Sequence, residues 1–206
     1  MEFQFHGANC ISISTPKARV VIDDNLASLG LKSVTKSDDV VLSTVYSEPD
    51  TGVRLFIAEP GEYEVSGISV FGVAARAHMD ELGKETAIMY KLQYGDFRVA
   101  ITGHIHPDIK EEYIEDMGAV DVLIVPVGGN GYTLDGIGAL SIVKKFDPKI
   151  VIPVHYADKA INYPVPQQEL SEALKGLAMT PKDSVSRLKL KPADLSEGLS
   201  LIVLER

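Results

Sequence analysis

Cysteine is nearly absent: the 206 residues hold one, Cys10. One thiol closes no internal disulfide, and its neighbours Ile11 and Ile13 predict a packed, unreactive side chain. Basic residues are also scarce, 20 Lys and Arg against 29 Asp and Glu, for a net charge of −9. That balance argues against nucleic acid as a partner, which needs a basic face. No apolar run reaches the roughly 18 residues that cross a bilayer, so no membrane span is expected. The first ten residues, MEFQFHGANC, lack the basic start and apolar core of a signal peptide, so the cytoplasm is the expected location. Internal repeats, low-complexity runs and linkers are missing as well. Hydrophobic residues at 45% and charged residues at 24% fit one globular domain over residues 1–206.

What is present concentrates between Val99 and Tyr156. Three short apolar runs, Val99–Thr102, Val120–Val125 and Ile150–Val154, are rich in β-branched residues and read as buried strands. Two segments of helical character, Asp108–Met117 and Asp135–Phe146, lie between them. Strand, helix, strand, helix, strand predicts parallel βαβ units. His104 and His106 follow the first strand, Gly128-Gly129-Asn130-Gly131 the second, and His155 the third. Ligands of open α/β sheets gather at the carboxyl ends of strands, so this rim is the candidate site.

The first hundred residues read mainly as strands. Met1–Ser14 predicts two strands with a bend at Gly7, Arg19–Ile22 a third ending in Asp23-Asp24, and Val40–Leu42 a fourth. Residues 25–39 are a loop or short helix. Val53–Ile57, the turn at Pro60-Gly61, and Ile68–Val73 continue the pattern, and Ala74–Gly83 is a loop. Thr86–Leu92 and Arg98–Thr102 pair around Tyr94-Gly95-Asp96. Beyond the rim, Gln167–Leu177 is an amphipathic helix with Leu170, Ala173, Leu174 and Leu177 on its core stripe. Ser186–Leu190 and Leu199–Leu204 are closing strands. Thr133 and Asp135 are both candidate caps for the helix after the glycine-rich turn. That turn lacks the lysine of a G-x-x-x-x-G-K-[ST] loop, which argues against a nucleotide P-loop. Gly128 and Gly129 either expose amides to an anionic ligand or allow close packing beside the site.

The series GDF, GH-x-H, DVLIVPVGG, YTLD and IPVHY resembles the metallo-β-lactamase-fold hydrolases, in particular the branch near the ascorbate-phosphate lactonases. GANCISIS…RVVIDD and PGEYEVSGISVFGV extend the resemblance over most of the chain. It implies a four-layer αββα sandwich of two mixed sheets, and a rim that binds zinc. His78 and His155 match metal histidines of the family, and Asp23 matches a carboxylate that supports the site from behind. A solvated turn is the alternative for Asp23. Without the family, His78 is an ordinary loop histidine, and His155 a histidine bonded to a backbone carbonyl.

At the position of the family's HxHxDH motif this chain reads T-x-Y-x-E-P. Thr44 and Tyr46 replace two histidines, Glu48 the aspartate and Pro49 the last histidine. Where the family carries a metal-bridging Gly-Asp, this chain has Gly103-His104. A hydroxyl or phenol is a poor zinc ligand beside neutral imidazole, so the resemblance implies that the dinuclear centre cannot form. Two expectations remain. One is a homologue with a degraded site that holds no metal and is not catalytic. The other is a mononuclear hydrolase of lactones or phosphoesters, with one zinc or other divalent ion on His78, His104 and His155. There Glu48 is a fourth ligand or general base, and His104 and Glu48 are the catalytic pair. Gly128, Gly129 and Tyr46 are the expected binding residues, and His106 is a rim histidine without a role. In a vacant site Tyr46 fills the space of a lost zinc and its hydroxyl pairs with His155 or Glu48. A small-molecule ligand and a homo-oligomer are both compatible with the sequence.

Overall fold

Alternation along the strands builds a two-sheet sandwich in the computed structural model, which describes residues 1–47, 51–195 and 198–206. In the first sheet β1 (Glu2–Gly7), β2 (Cys10–Ser14) and β3 (Arg19–Ile22) are antiparallel neighbours. Then β4 (Val40–Leu42) and β5 (Leu55–Ile57) join in parallel. The second sheet starts with three antiparallel pairings among β6 (Gly61–Val65), β7 (Ile68–Ala75), β8 (Ala87–Tyr94) and β9 (Phe97–Ile101).

From β9 the chain winds through α1 (Glu111–Met117), β10 (Val122–Pro126), α2 (Gly136–Phe146) and β11 (Ile150–Val154). The three strands are parallel, with Val122 opposite both Val99 and Ile150, as the βαβ pattern predicts. After α3 (Leu170–Leu177) come β12 (Pro181–Val185), β13 (Leu188–Lys189) and β14 (Ser200–Leu204). β13 pairs with β1 in the first sheet, while β14 and then β12 extend the second beyond β11. β12 is a strand the sequence does not announce. Its PKDSV is polar because an edge strand needs no buried face.

Period 2 decides what each residue faces. Val99, Ile101, Val122, Ile124, Ile150 and Ile152 enter the core between the sheets, packed on Phe3, Ile11, Val20 and Leu42. Their neighbours Ala100, Leu123, Val125 and Val151 point outward beneath α1, α2 and α3. Gly136 of α2 and Gly176 of α3 lie so close that a Cβ on either would meet the other helix's backbone within 2.9 Å, which lets the helices cross tightly. Ala173 and Leu177 are buried under that crossing, with Leu170 and Leu174 packed beside them. Asp135, not Thr133, caps α2: its carboxylate accepts from Gly138 N at 2.7 Å.

Two mixed sheets face to face, of six and eight strands, realise the expected sandwich. Over the six-stranded sheet the outer layer is thin, a 3-10 turn at Leu26–Leu29 and flanking loop. Leu26, Leu31 and Val34 pack there on Cys10 and Val21. Cys10 is fully buried, and burial pushes its thiol pKa up, so it stays a protonated apolar filler. Among the described residues no helix is long and apolar enough to cross a membrane.

Candidate functional site

The candidate site lies on the rim where β3, β4, β9, β10 and β11 end. At the end of β3 the chain turns through Asp23 in the left-handed region, φ 48°. Its carboxylate accepts the Thr44 amide at 2.7 Å and the Thr44 hydroxyl at 2.6 Å. Burial raises the Asp23 pKa to about 6 against those hydrogen bonds. The Asn9 amide also lies beside Asp23 and favours its charge, although neither Asn9 side-chain atom makes a hydrogen bond of regular geometry. Asp24 next door points the other way. Its Oδ2 accepts from Ser33 Oγ, Val34 N, Thr35 N and Thr35 Oγ1, all at 2.6–2.7 Å. Burial would raise its pKa, and this cage of donors outweighs it and holds the carboxyl low.

Thr44 is 1% exposed and shapes the next element. Gly103, φ 60°, follows the end of β9 at a point where a Cβ would sit 2.4 Å from Thr44 Cβ and Oγ1. Only glycine fits there on both counts. The turn delivers His104 edge-on to His155, with ring centroids 4.5 Å apart and planes at 84°. Tyr132 closes over the other side of His104 at 5.5 Å. Burial, then the neighbouring His155 and His78, push the His104 pKa down to about 3, so the ring is neutral. Its Nδ1 is buried without a hydrogen-bond partner.

His155 is held more firmly. It is 5% exposed, has φ 60°, and its amide donates to Ala8 O at 2.8 Å, tying β11 to the other sheet. Gln167 Nε2 donates to Val165 O, which turns Oε1 toward His155 Nδ1 at 3.0 Å. A carbonyl oxygen only accepts, so Nδ1 carries the proton and Nε2 the lone pair. Burial lowers the pKa to about 4 against that hydrogen bond.

Gly128 sits under this pair: a Cβ would lie 2.0 Å from Gln167 Oε1 and 2.3 Å from His155 O. The amides of Gly129, Tyr132 and Thr133 bond within the glycine-rich turn. Close packing is therefore what the turn supplies to His155. Gln167 has no signature in the local sequence and was found only through its contact.

His78 joins the rim through the backbone. Ala77 bridges Ile105, and the His78 amide donates to His104 O at 2.7 Å. Its ring leans toward His106, with centroids 5.9 Å apart, and its Nδ1 is buried and unpartnered. Burial lowers its pKa. His106 Nδ1 accepts from Asp108 N at 3.0 Å.

Tyr46 corrects an expectation. It is 66% exposed and does not fill a vacated metal position. The space beneath the rim is instead an open polar cleft of about 390 Å³, lined by Asn9, Asp23, Asp24, Thr44, His104 and His155 among others. Glu48 and Pro49 lie outside the described residues.

Among the described residues no three His, Cys, Asp or Glu side chains are placed to share one metal ion. What is assembled is the His104–His155 pair, with the Thr44 hydroxyl committed to Asp23. That donor set does not fit a two-metal centre.

The sandwich agrees with that of a superfamily of known proteins. The model of the beta-lactamase superfamily domain matches residues 2–155, and the chain belongs to the metallo-β-lactamase superfamily. A UPF0173 metal-dependent hydrolase of Natranaerobius thermophilus is 22% identical over 192 residues, 76% of this chain and 83% of that protein. One of Salinibacter ruber is 37% identical over 67 residues, 32% of this chain and 29% of that protein. Among solved structures, a candidate zinc-dependent hydrolase of the superfamily from Thermotoga maritima superposes with a TM-score of 0.77, 20% identity and full coverage of both chains. A metallo hydrolase of Ignicoccus hospitalis superposes at 0.64, with 18% identity over 99% of this chain and 94% of that one. At these identities the two structures speak for the fold.

Proposed function

We propose that this chain is a small-molecule-binding member of the superfamily with a degraded metal site, not a dinuclear zinc hydrolase. The observation that carries the reading is the pairing of Thr44 with Asp23 through two hydrogen bonds. By motif resemblance Thr44 stands at the first histidine of HxHxDH, and Asp23 at the carboxylate that supports the site. The two residues satisfy each other, leaving no ligand at that position. Tyr46, at the second histidine, turns to solvent, and His104 stands at the bridging aspartate. An imidazole nitrogen binds one ion but does not bridge two. The polar cleft then serves a small ligand in a cytoplasmic protein that binds neither nucleic acid nor membrane, and a homo-oligomer is compatible with this.

A second reading is a mononuclear hydrolase of lactones or phosphoesters, holding one zinc or similar ion on His78, His104 and His155 with Glu48. The unpartnered Nδ1 atoms of His78 and His104 favour it, as does the lone pair on His155 Nε2, but the three rings would have to move to share an ion, since no three such side chains are so placed among the described residues. Three histidines with one open position suit catalytic zinc. The naming of the relatives as metal-dependent hydrolases is in keeping with it.

Metal content of protein purified without added metal or a nickel tag separates the readings, measured beside hydrolysis of generic lactone and phosphodiester substrates. The expected result is no more than one divalent ion per chain and weak or absent turnover. One ion with turnover lost in His155→Ala selects the mononuclear enzyme. Two ions per chain with turnover overturn both.

A further inference from the structure

The cleft beneath the rim has a charge of one sign. Its lining holds two carboxylates, Asp23 and Asp24, and among the described residues no lysine or arginine. Lys32 and Lys36 alternate with the lining residues Ser33 and Thr35 along one loop, but both are exposed and neither lines the cleft. Arg19, at the far end of β3 from Asp23, is paired with Asp39 at 2.7 Å. His104 and His155, both neutral rings, add no positive charge.

Hydrogen-bond direction sharpens this. A hydroxyl has one proton to donate and two lone pairs to offer. Ser33 Oγ and Thr35 Oγ1 donate to Asp24 Oδ2, at 2.7 and 2.6 Å. Thr44 Oγ1 donates to Asp23 at 2.6 Å, and Ser43 Oγ to Val45 O at 2.7 Å. These four protons are spent inside the protein, so the oxygens face the cleft as acceptors. His155 is alike, with its proton on the Gln167 side and a lone pair on Nε2. Asn9 lines the same space at 6% exposure, and neither of its side-chain polar atoms has a partner. A buried amide in that state marks a place where a polar partner belongs. Ser33 is exposed and Thr35, Ser43, Asp23 and Asp24 are half-buried, so this wall is open to an entering group.

We infer that the cleft binds a small primary amine in its ammonium form and turns away carboxylates and phosphates. An ammonium brings three donors and no acceptor to a wall that offers acceptors. Its positive charge offsets two carboxylates that share the lining with no lysine or arginine, whereas an anion is repelled by them. The volume of about 390 Å³ suits a small molecule. This inference rests on the reading of the cleft as a small-molecule site with a degraded metal centre, since an ion on His155 would consume the Nε2 lone pair and reverse the charge.

Benzylamine, benzyl alcohol and benzoate test it, because they share one frame and carry a cationic, a neutral and an anionic head at neutral pH. Each is titrated into the full chain, shown by elemental analysis to be free of metal, and followed by amide chemical shifts. Saturable shifts centred on segments 23–25, 33–35 and 43–45 are expected with benzylamine. Benzyl alcohol binds about tenfold more weakly, the worth of one charge-assisted contact, and benzoate gives no saturable shift. Asp24→Asn lowers the preference for benzylamine over benzyl alcohol severalfold. Because Asp24 also ties down the loop that carries Ser33 and Thr35, Asp23→Asn is measured beside it and lowers the same preference. A loop that had only loosened would weaken both ligands together. Equal binding of the three compounds, a preference for benzoate, no saturable shift in metal-free protein, or a preference unchanged in both variants would each overturn the inference and leave the wider reading standing. A bound ion with turnover lost in His155→Ala would overturn the wider reading, and this inference with it.

Discussion

Thr44, itself buried, donates its amide and its hydroxyl to the two oxygens of Asp23, at 2.7 and 2.6 Å, at the floor of the cleft. The carboxylate still has a pKa raised to about 6, so ionisation in the folded state costs more than these two bonds return. A folded pKa above the unfolded one means stability is complete below the unfolded value and declines as pH rises through the folded value.

The first prediction follows from that sign. Between about pH 4 and pH 6 the protein loses about 2–3 kcal/mol of stability through Asp23. Asp23→Asn keeps an acceptor for the Thr44 amide and removes the titration, so its stability is flatter across that window. Urea midpoints at successive pH values measure this. An identical slope in both proteins refutes the assignment.

Asp121 predicts the opposite pH behaviour at the other end of the sheet. Its carboxylate, 1% exposed, accepts Arg98 Nε and Nη2 at 2.9 Å each and the Arg98 amide at 3.0 Å, with Lys149 at 3.4 Å. Burial would raise its pKa, but the Arg98 guanidinium outweighs it and holds the carboxyl low. Its stabilisation is therefore present above the ordinary carboxylate range and lost as pH falls through the lowered value. Asp121→Ala leaves Arg98 half-buried without its partner and costs about 2–3 kcal/mol, less than a fully buried pair because Arg98 is 37% exposed. Thermal or urea unfolding at neutral pH reads the loss.

Gly128 offers a steric test. Gly128→Ala drives a methyl into His155 O and the Gln167 amide and costs about 2 kcal/mol. The His155 ring signals shift with it, since that amide orients the ring. A stable variant with unmoved His155 signals would mean the loop yields freely.

The framework was legible in the sequence because period 2 and βαβ alternation are local signals. The runs Val99–Thr102, Val120–Val125 and Ile150–Val154 were readable from β-branched residues alone, and strands Phe97–Ile101, Val122–Pro126 and Ile150–Val154 stand there. β12 was not, since an exposed edge strand carries no apolar pattern. The rim histidines could be named from their place after strands, but His155's partner Gln167 lies 12 residues on in a loop, where only tertiary contact reveals it. Tyr46 misled for a related reason. A phenol at a lost ligand position suggests filling, yet Thr44 pairs with Asp23 at the floor, Tyr46 turns to solvent, and the space above them is left as an open cleft.

The last prediction concerns the His155 proton. Gln167 Nε2 is committed to Val165 O, so Oε1 can only accept, and His155 is a neutral Nδ1–H tautomer with its lone pair on Nε2. With the pKa pushed to about 4, the ring stays neutral throughout pH 5–8. Nitrogen-15 NMR of the histidine rings is expected to give one protonated Nδ1, an unprotonated Nε2 and flat shifts across that range, while an exposed histidine titrates near 6.5. Removing the acceptor in Gln167→Ala frees the tautomer choice and lets the Nε2–H form appear. It also admits water beside the ring, which relieves part of the desolvation and moves the pKa back toward the ordinary value. A wild-type His155 that titrates near neutrality, or a tautomer unmoved in Gln167→Ala, would show that something other than Gln167 holds this ring.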